Sequence, residues 1–302
     1  MTPNPLLKKL GYSNKDRLVI IHVDDVGMCH ASLQGFSDLW EYGTISSGAV
    51  MVPCPWFRAV AEWAHGHPQV DLGVHGTVNS EWDGYRWGPL STRDPKSGLM
   101  DDEGYFHKRE PEAQNQANPQ AVGIEIQLQL QRALEAGIDV THLDTHMGTI
   151  TYPKFINGYV QILKQACLPG LIPRLNAAAL MEFGLMGLDE ETARLFEGMI
   201  RNLEAEGTPT VDQVNFMPLD DPAGHVEIAR KKLQNLPVGI THLLMHPAVD
   251  TPELRAAAPD WPSRVANYKA FMSRELKDFI KNKGIQMIGY RQIRDCMRSS
   301  NA

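Results

Sequence analysis

Leu18-Val19-Ile20-Ile21 leads into Val23-Asp24-Asp25-Val26-Gly27, and this stretch decides the fold. An apolar run that finishes in paired carboxylates reads as a buried strand whose carboxyl end faces a site. Three more runs end the same way: Leu72-Gly73-Val74-His75, His142-Leu143-Asp144-Thr145-His146 and His242-Leu243-Leu244-Met245-His246-Pro247. Strands that stop in Asp or His predict a parallel α/β protein with its chemistry at the strand ends. Asp with two His is a metal-ligand set that leaves positions open for water and substrate.

Outward from these runs, strands alternate with helices. Strand patterns cover Arg17–Asp24, Ser47–Val52, Val70–Thr77, Thr141–Met147, Leu171–Leu175, Gln213–Met217, Ile240–Met245 and Gln286–Tyr290. Helix patterns cover about His30–Tyr42, Trp56–Ala64, Pro119–Ala136, Pro153–Ala166, Ala178–Glu206, His225–Leu233 and Pro262–Lys283. Ala178–Glu206 contains three glycines and is compatible with two helices. In Pro119–Ala136, Ile126, Leu130 and Leu134 form one apolar stripe, and Ile124 and Leu128 a second, which predicts a wide buried side. The pattern predicts a TIM-like (β/α) barrel, with a doubly wound open sheet as the competing architecture. It is read as a single domain over residues 1–302, with a long loop insertion at about 79–118 rich in Gly, Pro, Trp and charge.

The 302 residues are 43% hydrophobic and 22% charged, as in ordinary globular proteins. A formal net charge of -7 argues against a nucleic-acid partner, which needs a basic surface. No apolar run reaches about 18 residues, and Met1–Asp16 holds no apolar stretch of signal-peptide length. Cys29, Cys54, Cys167 and Cys296 are scattered without a CxxC pair, which reads as reduced thiols in a cytoplasmic protein. The composition is compatible with a homodimer, which no sequence feature demonstrates.

Adjacent carboxylates such as Asp24 and Asp25 are costly to bury without compensation. A metal ion would stabilise one, leaving the other as a general base; the competing reading is a helix N-cap. His75 stands between Gly73 and Gly76 ahead of the long loop, where it is either a ligand or a satisfied core residue. His142, Asp144 and His146 share a face at period two, but about 3.3 Å per residue puts the two histidines roughly 13 Å apart. One ion cannot take both, so His146, nearer the strand end, is the better ligand. Asp144 is then placed to orient a histidine. The same argument favours His246 over His242, with Pro247 ending the strand and His246 placed to protonate a leaving amine. Arg174 follows a strand-like run and either pairs with Asp24 or forms a surface ion pair. Trp82, Tyr85, Arg86 and Trp87 in the long loop either bind a sugar or anchor the loop.

Together, Val23-Asp24-Asp25-Val26-Gly27, Gly73-Val74-His75, Thr141-His142-Leu143-Asp144-Thr145-His146 and Met245-His246-Pro247 resemble the YdjC-like (ChbG/HpnK) carbohydrate deacetylases. The resemblance runs from about Arg17 to Arg294. It implies a TIM-like deacetylase barrel, one divalent metal ion (zinc or magnesium) and removal of acetate from an N-acetylated sugar. It implies Asp25, His75 and His146 as metal ligands, Asp24 as base and His246 as acid. Two features depart from the family pattern: Met147-Gly148-Thr149 stands where further histidines often follow, and Gly76 where an apolar residue is common.

Two other activities fit the same residues: hydrolysis of another amide or an ester, and metal-dependent sugar binding without catalysis. A retaining glycosidase fits less well, because its two carboxylates must face each other across the sugar.

Overall fold

The computed structural model describes residues 3–182 and 188–300. Seven parallel strands form one sheet: β1 (Arg17–Val26), β2 (Ser47–Val50), β3 (Leu72–Gly76), β4 (Leu143–Thr145), β5 (Gln213–Phe216), β6 (Gly239–Met245) and β7 (Gln286–Met287). Their order is β4-β3-β2-β1-β6-β5. β7 pairs with Leu18 and Val19 of β1, while β2 pairs further along, from His22 to Val26. β6 takes the other edge of β1, from Arg17 to Val23. Single parallel bridges from Leu143 to Gly170 and from Pro173 to Val211 link the two edge strands. The sheet therefore curls round into a TIM-like (β/α) barrel, with edge strands tied through residues 170–173.

Period two along β1 organises the inside. Leu18 and Ile20 join Leu6, Leu7, Ile240, Ile288 and Ile293 in an apolar plug at the amino end. His22 and Asp24 continue the same face upward. The alternate residues Val19, Ile21 and Val23 belong to the larger core between sheet and helices. A floor of apolar side chains thus supports a polar upper half.

Most helices fall where the pattern puts them. His30–Tyr42 is helical over that span and ends on Gly43 in a left-handed conformation (φ 79). Ala177–Glu182 and Glu190–Ala205 are two helices, as the glycines suggest, and residues 183–187 between them lie outside the described residues. Pro262–Lys283 is not one helix but two, Trp261–Phe271 and Arg274–Lys283, because the Ser273 hydroxyl caps the second by accepting from Leu276 N. Leu171–Leu175 forms bridges rather than a strand, and the fourth strand stops at Thr145.

The helix Pro119–Glu135 departs from its predicted face. Ile124 and Leu134 are exposed, and the buried side instead includes Glu125 and Gln129. Gln129 accepts from Thr77 N and donates to Thr77 O and Glu125. Glu125 in turn accepts from Leu90 N and Ser91 N. These polar residues clamp the long loop onto the barrel, a purpose that hydrophobic periodicity does not encode. Among the described residues no helix is long and apolar enough to cross a membrane.

Glu125→Ala leaves the Leu90 and Ser91 amides without their acceptor, at a cost of about 1–3 kcal/mol. Denaturant unfolding should show that loss, and limited proteolysis should cut first within residues 79–118. A wild-type midpoint and an unchanged cleavage pattern would refute the clamp.

Candidate metal centre and active site

The adjacent carboxylates reach one side because β1 breaks its own period. Its register with β2 shifts between Val23 and Val26, and Asp25 takes a left-handed conformation (φ 59) that Asp tolerates better than most residues. Neither carboxylate serves as a helix N-cap; that position belongs to Cys29. Burial pushes the Cys29 thiol above its ordinary value, which suits packing rather than nucleophilic chemistry.

Asp25 Oδ2 accepts from Arg264 at 2.7 Å. Its Oδ1 is buried without a hydrogen-bond partner among the described residues. That atom faces His146 Nδ1 at 3.2 Å and His75 Nε2 at 3.4 Å. The other nitrogen of each imidazole is engaged: His75 Nδ1 with Asp144 Oδ1 at 2.7 Å, His146 Nε2 with Glu81 Oε2 at 3.0 Å. One oxygen and two nitrogens therefore converge within 4.8 Å of one another, with ring orientations fixed from behind. An orphaned carboxylate oxygen between two imidazole nitrogens fits a divalent cation.

His146 reaches this point through a turn rather than the strand. β4 ends at Thr145, and Met147 (φ 54) and Gly148 (φ 72) both take left-handed conformations. The turn brings Ile150 against Gly76, where a Cβ would collide with Ile150 Cδ1. Gly76 and Met147-Gly148, the two departures from the family pattern, are thus parts of one local packing arrangement.

Asp24 lies beside this set. Its Oδ1 accepts from His22 Nδ1 at 2.7 Å, and its Oδ2 lies 3.8 Å from His246 Nε2 and 4.0 Å from His75 Nε2. Burial alone would raise its carboxyl, but His75, His22 and His246 outweigh it and hold Asp24 well below the usual carboxylate range. Burial would likewise raise Asp25, and Arg264 foremost, with His146 and His75, holds it well below. Burial lowers both imidazoles, yet Asp144 and Asp24 raise His75 well above its ordinary value, and Glu81 and Asp25 raise His146 to about 9. His246 goes the other way: burial lowers it despite Asp25 and Asp24.

The remaining predicted residues divide. Arg174 does not meet Asp24; it pairs with Glu204 and with Asp212, whose carboxylate accepts from Ile240 N at the amino end of β6. The strand-like run it follows meets the start of β5, so Arg174 sits at the opposite end of the barrel from the carboxylates. Arg86 is spent inside the long loop on Asp101, Glu103 and Phe106 O, and Trp87 is buried with its Nε1 donating to Asn79 O. Both anchor the loop. Trp82 and Tyr85 stack at 6.5 Å between ring centroids, and Arg264 lies over Trp82 at 5.3 Å. Trp82 thus reaches Asp25 through Arg264, while the Tyr85 hydroxyl donates to Met28 O. His142 and His242 lie in the barrel interior below, away from the three converging donors.

Sequence reading missed His22, Arg264 and Glu81. His22 was within reach, because it stands two residues before Asp24 on the same face. Arg264 and Glu81 had no local signal: one arrives from a helix 239 residues away from Asp25, the other from the long loop.

A protein of Thermus thermophilus named carbohydrate deacetylase is 32% identical over 277 residues, covering 90% of this chain and 92% of its own. One of the same name from Thermoanaerobacter pseudethanolicus is 21% identical, over 91% and 98%. A crystal structure from Enterococcus faecalis V583, described as a candidate cellobiose-phosphate cleavage protein, has 20% identity and a TM-score of 0.75 over 92% of this chain and 99% of its own, a likeness of fold. The model of the family described as YdjC-like protein matches residues 18–282, and the chain therefore belongs to the YdjC-like family.

Proposed function

We propose that the chain is a metal-dependent hydrolase that removes the acetyl group from an N-acetylated sugar, releasing acetate and a free amine. One observation supports this most: the orphaned Oδ1 of Asp25 faces His75 and His146, with Asp24 Oδ2 alongside. The relatives named carbohydrate deacetylases supply the substrate class.

Asp25, His75 and His146 would hold the ion, and the donor set suits zinc or magnesium. When bound, a divalent cation polarises the acetyl carbonyl and makes its water more acidic. Asp24, held ionised by its histidine neighbours, removes a proton from the attacking water. His246, whose Nε2 lies 3.8 Å from Asp24 Oδ2, would receive that proton and deliver it to the departing nitrogen. Burial biases His246 toward its neutral form, which suits a group that takes a proton up before giving it away. The new C–O bond forms first, and the C–N bond then breaks as the amine leaves with the proton. Tyr85, half-buried over the buried Trp82, offers an apolar face for a sugar ring, whereas Trp82, Arg174, Arg86 and Trp87 are committed elsewhere.

Asp24→Asn should retain the metal and lose at least about a hundredfold in turnover. Acetate release from N-acetylglucosamine and its short oligomers measures this, and near-normal turnover would refute the base. Chelation should abolish release and add-back restore it; metal-independent release would refute the ion's role, and sugar binding without release would favour a binding protein.

Metal affinity should also depend on pH with a definite sign. The metal needs deprotonated imidazoles, and His146 in the metal-free protein holds its proton up to about 9. Affinity should therefore fall as pH drops below about 9, with proton release on binding. Calorimetry in buffers of different ionisation heat reads both, and pH-independent uptake without released protons would contradict the ligand set.

A further inference from the structure

Below the carboxylates a chain of buried polar side chains runs down the barrel interior. Asp24 Oδ1 meets His22 Nδ1 at 2.7 Å, and His22 Nε2 meets His142 Nε2 at 2.8 Å. His142 Nδ1 meets Thr141 Oγ1 at 2.9 Å, and Thr141 Oγ1 meets Asp71 Oδ1 at 2.6 Å. All five residues are buried. Space is reserved for the chain: a Cβ on Gly73 would overlap the His142 ring.

Counting hydrogens fixes the direction of these bonds. A neutral imidazole carries one N–H, so the contact between two Nε2 atoms needs a single proton on one of them. The Asp24 carboxylate takes the His22 Nδ1–H, which leaves His22 Nε2 as an acceptor. The shared proton therefore sits on His142 Nε2, and His142 Nδ1 must accept from the Thr141 hydroxyl. Thr141 has then used its only hydrogen. Its short contact with Asp71 is a hydrogen bond only if Asp71 carries a proton and donates it. An ionised Asp71 would instead take the Thr141 hydrogen and leave two bare Nε2 lone pairs facing each other, unless His22, whose Nε2 also lies 3.6 Å from Asp144 Oδ2, were an imidazolium.

Burial disfavours the ionised form of Asp71, although its hydrogen-bond donors oppose that. It accepts from Ser47 Oγ at 2.9 Å and from Arg291 N at 2.7 Å. The Arg291 guanidinium turns away to Asp139 and Val70 O, and His142 Nδ1, the nearest ionisable nitrogen, is 3.9 Å off. Burial pushes the Asp71 carboxyl up against those bonds, and burial together with His22 keeps His142 well below its ordinary value.

We propose that Asp71 is a positioning residue: protonated, it sets a one-way run of donors, through Thr141, His142 and His22, whose last N–H holds the Asp24 carboxylate in place. The proposal rests on Asp24 being the base, but its own signature is the histidine tautomers, which are read without turnover.

The test is ¹⁵N NMR of histidine-labelled, metal-loaded full-length protein, with kcat and KM measured beside it. His22 should carry hydrogen on Nδ1 alone and His142 on Nε2 alone. Asp71→Asn puts an NH2 where the hydroxyl stands, so both patterns should persist with kcat within about twofold. Thr141→Val should shift the His142 proton and lower kcat roughly ten- to a hundredfold with KM unchanged. A His142 proton on Nδ1, a doubly protonated His22, altered tautomers in Asp71→Asn, or a second metal equivalent bound between His22 and His142 would overturn the chain. Unchanged kcat in Thr141→Val would overturn its link to Asp24. Full turnover in Asp24→Asn would sink the base assignment while the tautomers still report on the chain.

Discussion

Two neighbouring carboxylates with almost no solvent access are the constraint on which the molecule depends. Asp25 is 1% exposed and Asp24 7%. Such charges persist in a protein interior only if paired and hydrogen-bonded. Arg264 answers Asp25 from the helix Trp261–Phe271, and four histidines answer the pair from β1, β3, the turn after β4 and the end of β6. Separate elements of the barrel thus have to arrive in register for one charge balance to close. Removing Arg264 alone would leave a buried carboxylate unpaired, a loss of roughly 3–5 kcal/mol.

The same constraint explains the layering of the interior. Apolar residues plug the amino end, histidines fill the middle with Tyr290, and carboxylates occupy the rim. A polar layer costs stability unless every member finds a partner. Here Tyr290 meets His242 Nδ1, and His22 and His142 meet each other, whereas His242 Nε2 is buried without a partner among the described residues. A tautomer fixed at one end of such a layer is felt at the other, so orientation at the rim depends on residues far below it.

How much was legible follows from the range of each interaction. The strand ends bearing Asp24, Asp25, His75, His146 and His246 could be read because each is announced by its own local run. The barrel followed from the alternation of those runs with helices. Arg174 misled because a strand-like run ending in a charged residue looks the same at either end of a barrel, and only pairing with Asp212 places it. The buried side of Pro119–Glu135 misled because Glu125 and Gln129 are polar in composition yet buried by their bonds to the loop. Met147 and Gly148 read as missing histidines, whereas they shape the turn that delivers His146.

Glu81 belongs to the long loop, yet it sets the ring of His146, whose other nitrogen faces Asp25. Trp82, the next residue, packs under the guanidinium that neutralises Asp25. The segment that would shape the substrate cleft is therefore also part of the scaffold of the candidate metal site. Selectivity and metal chemistry cannot vary independently in such a design. A loop exchanged from another barrel to recruit a different sugar would bring its own His146 support, or none, and change the ion's affinity along with the substrate.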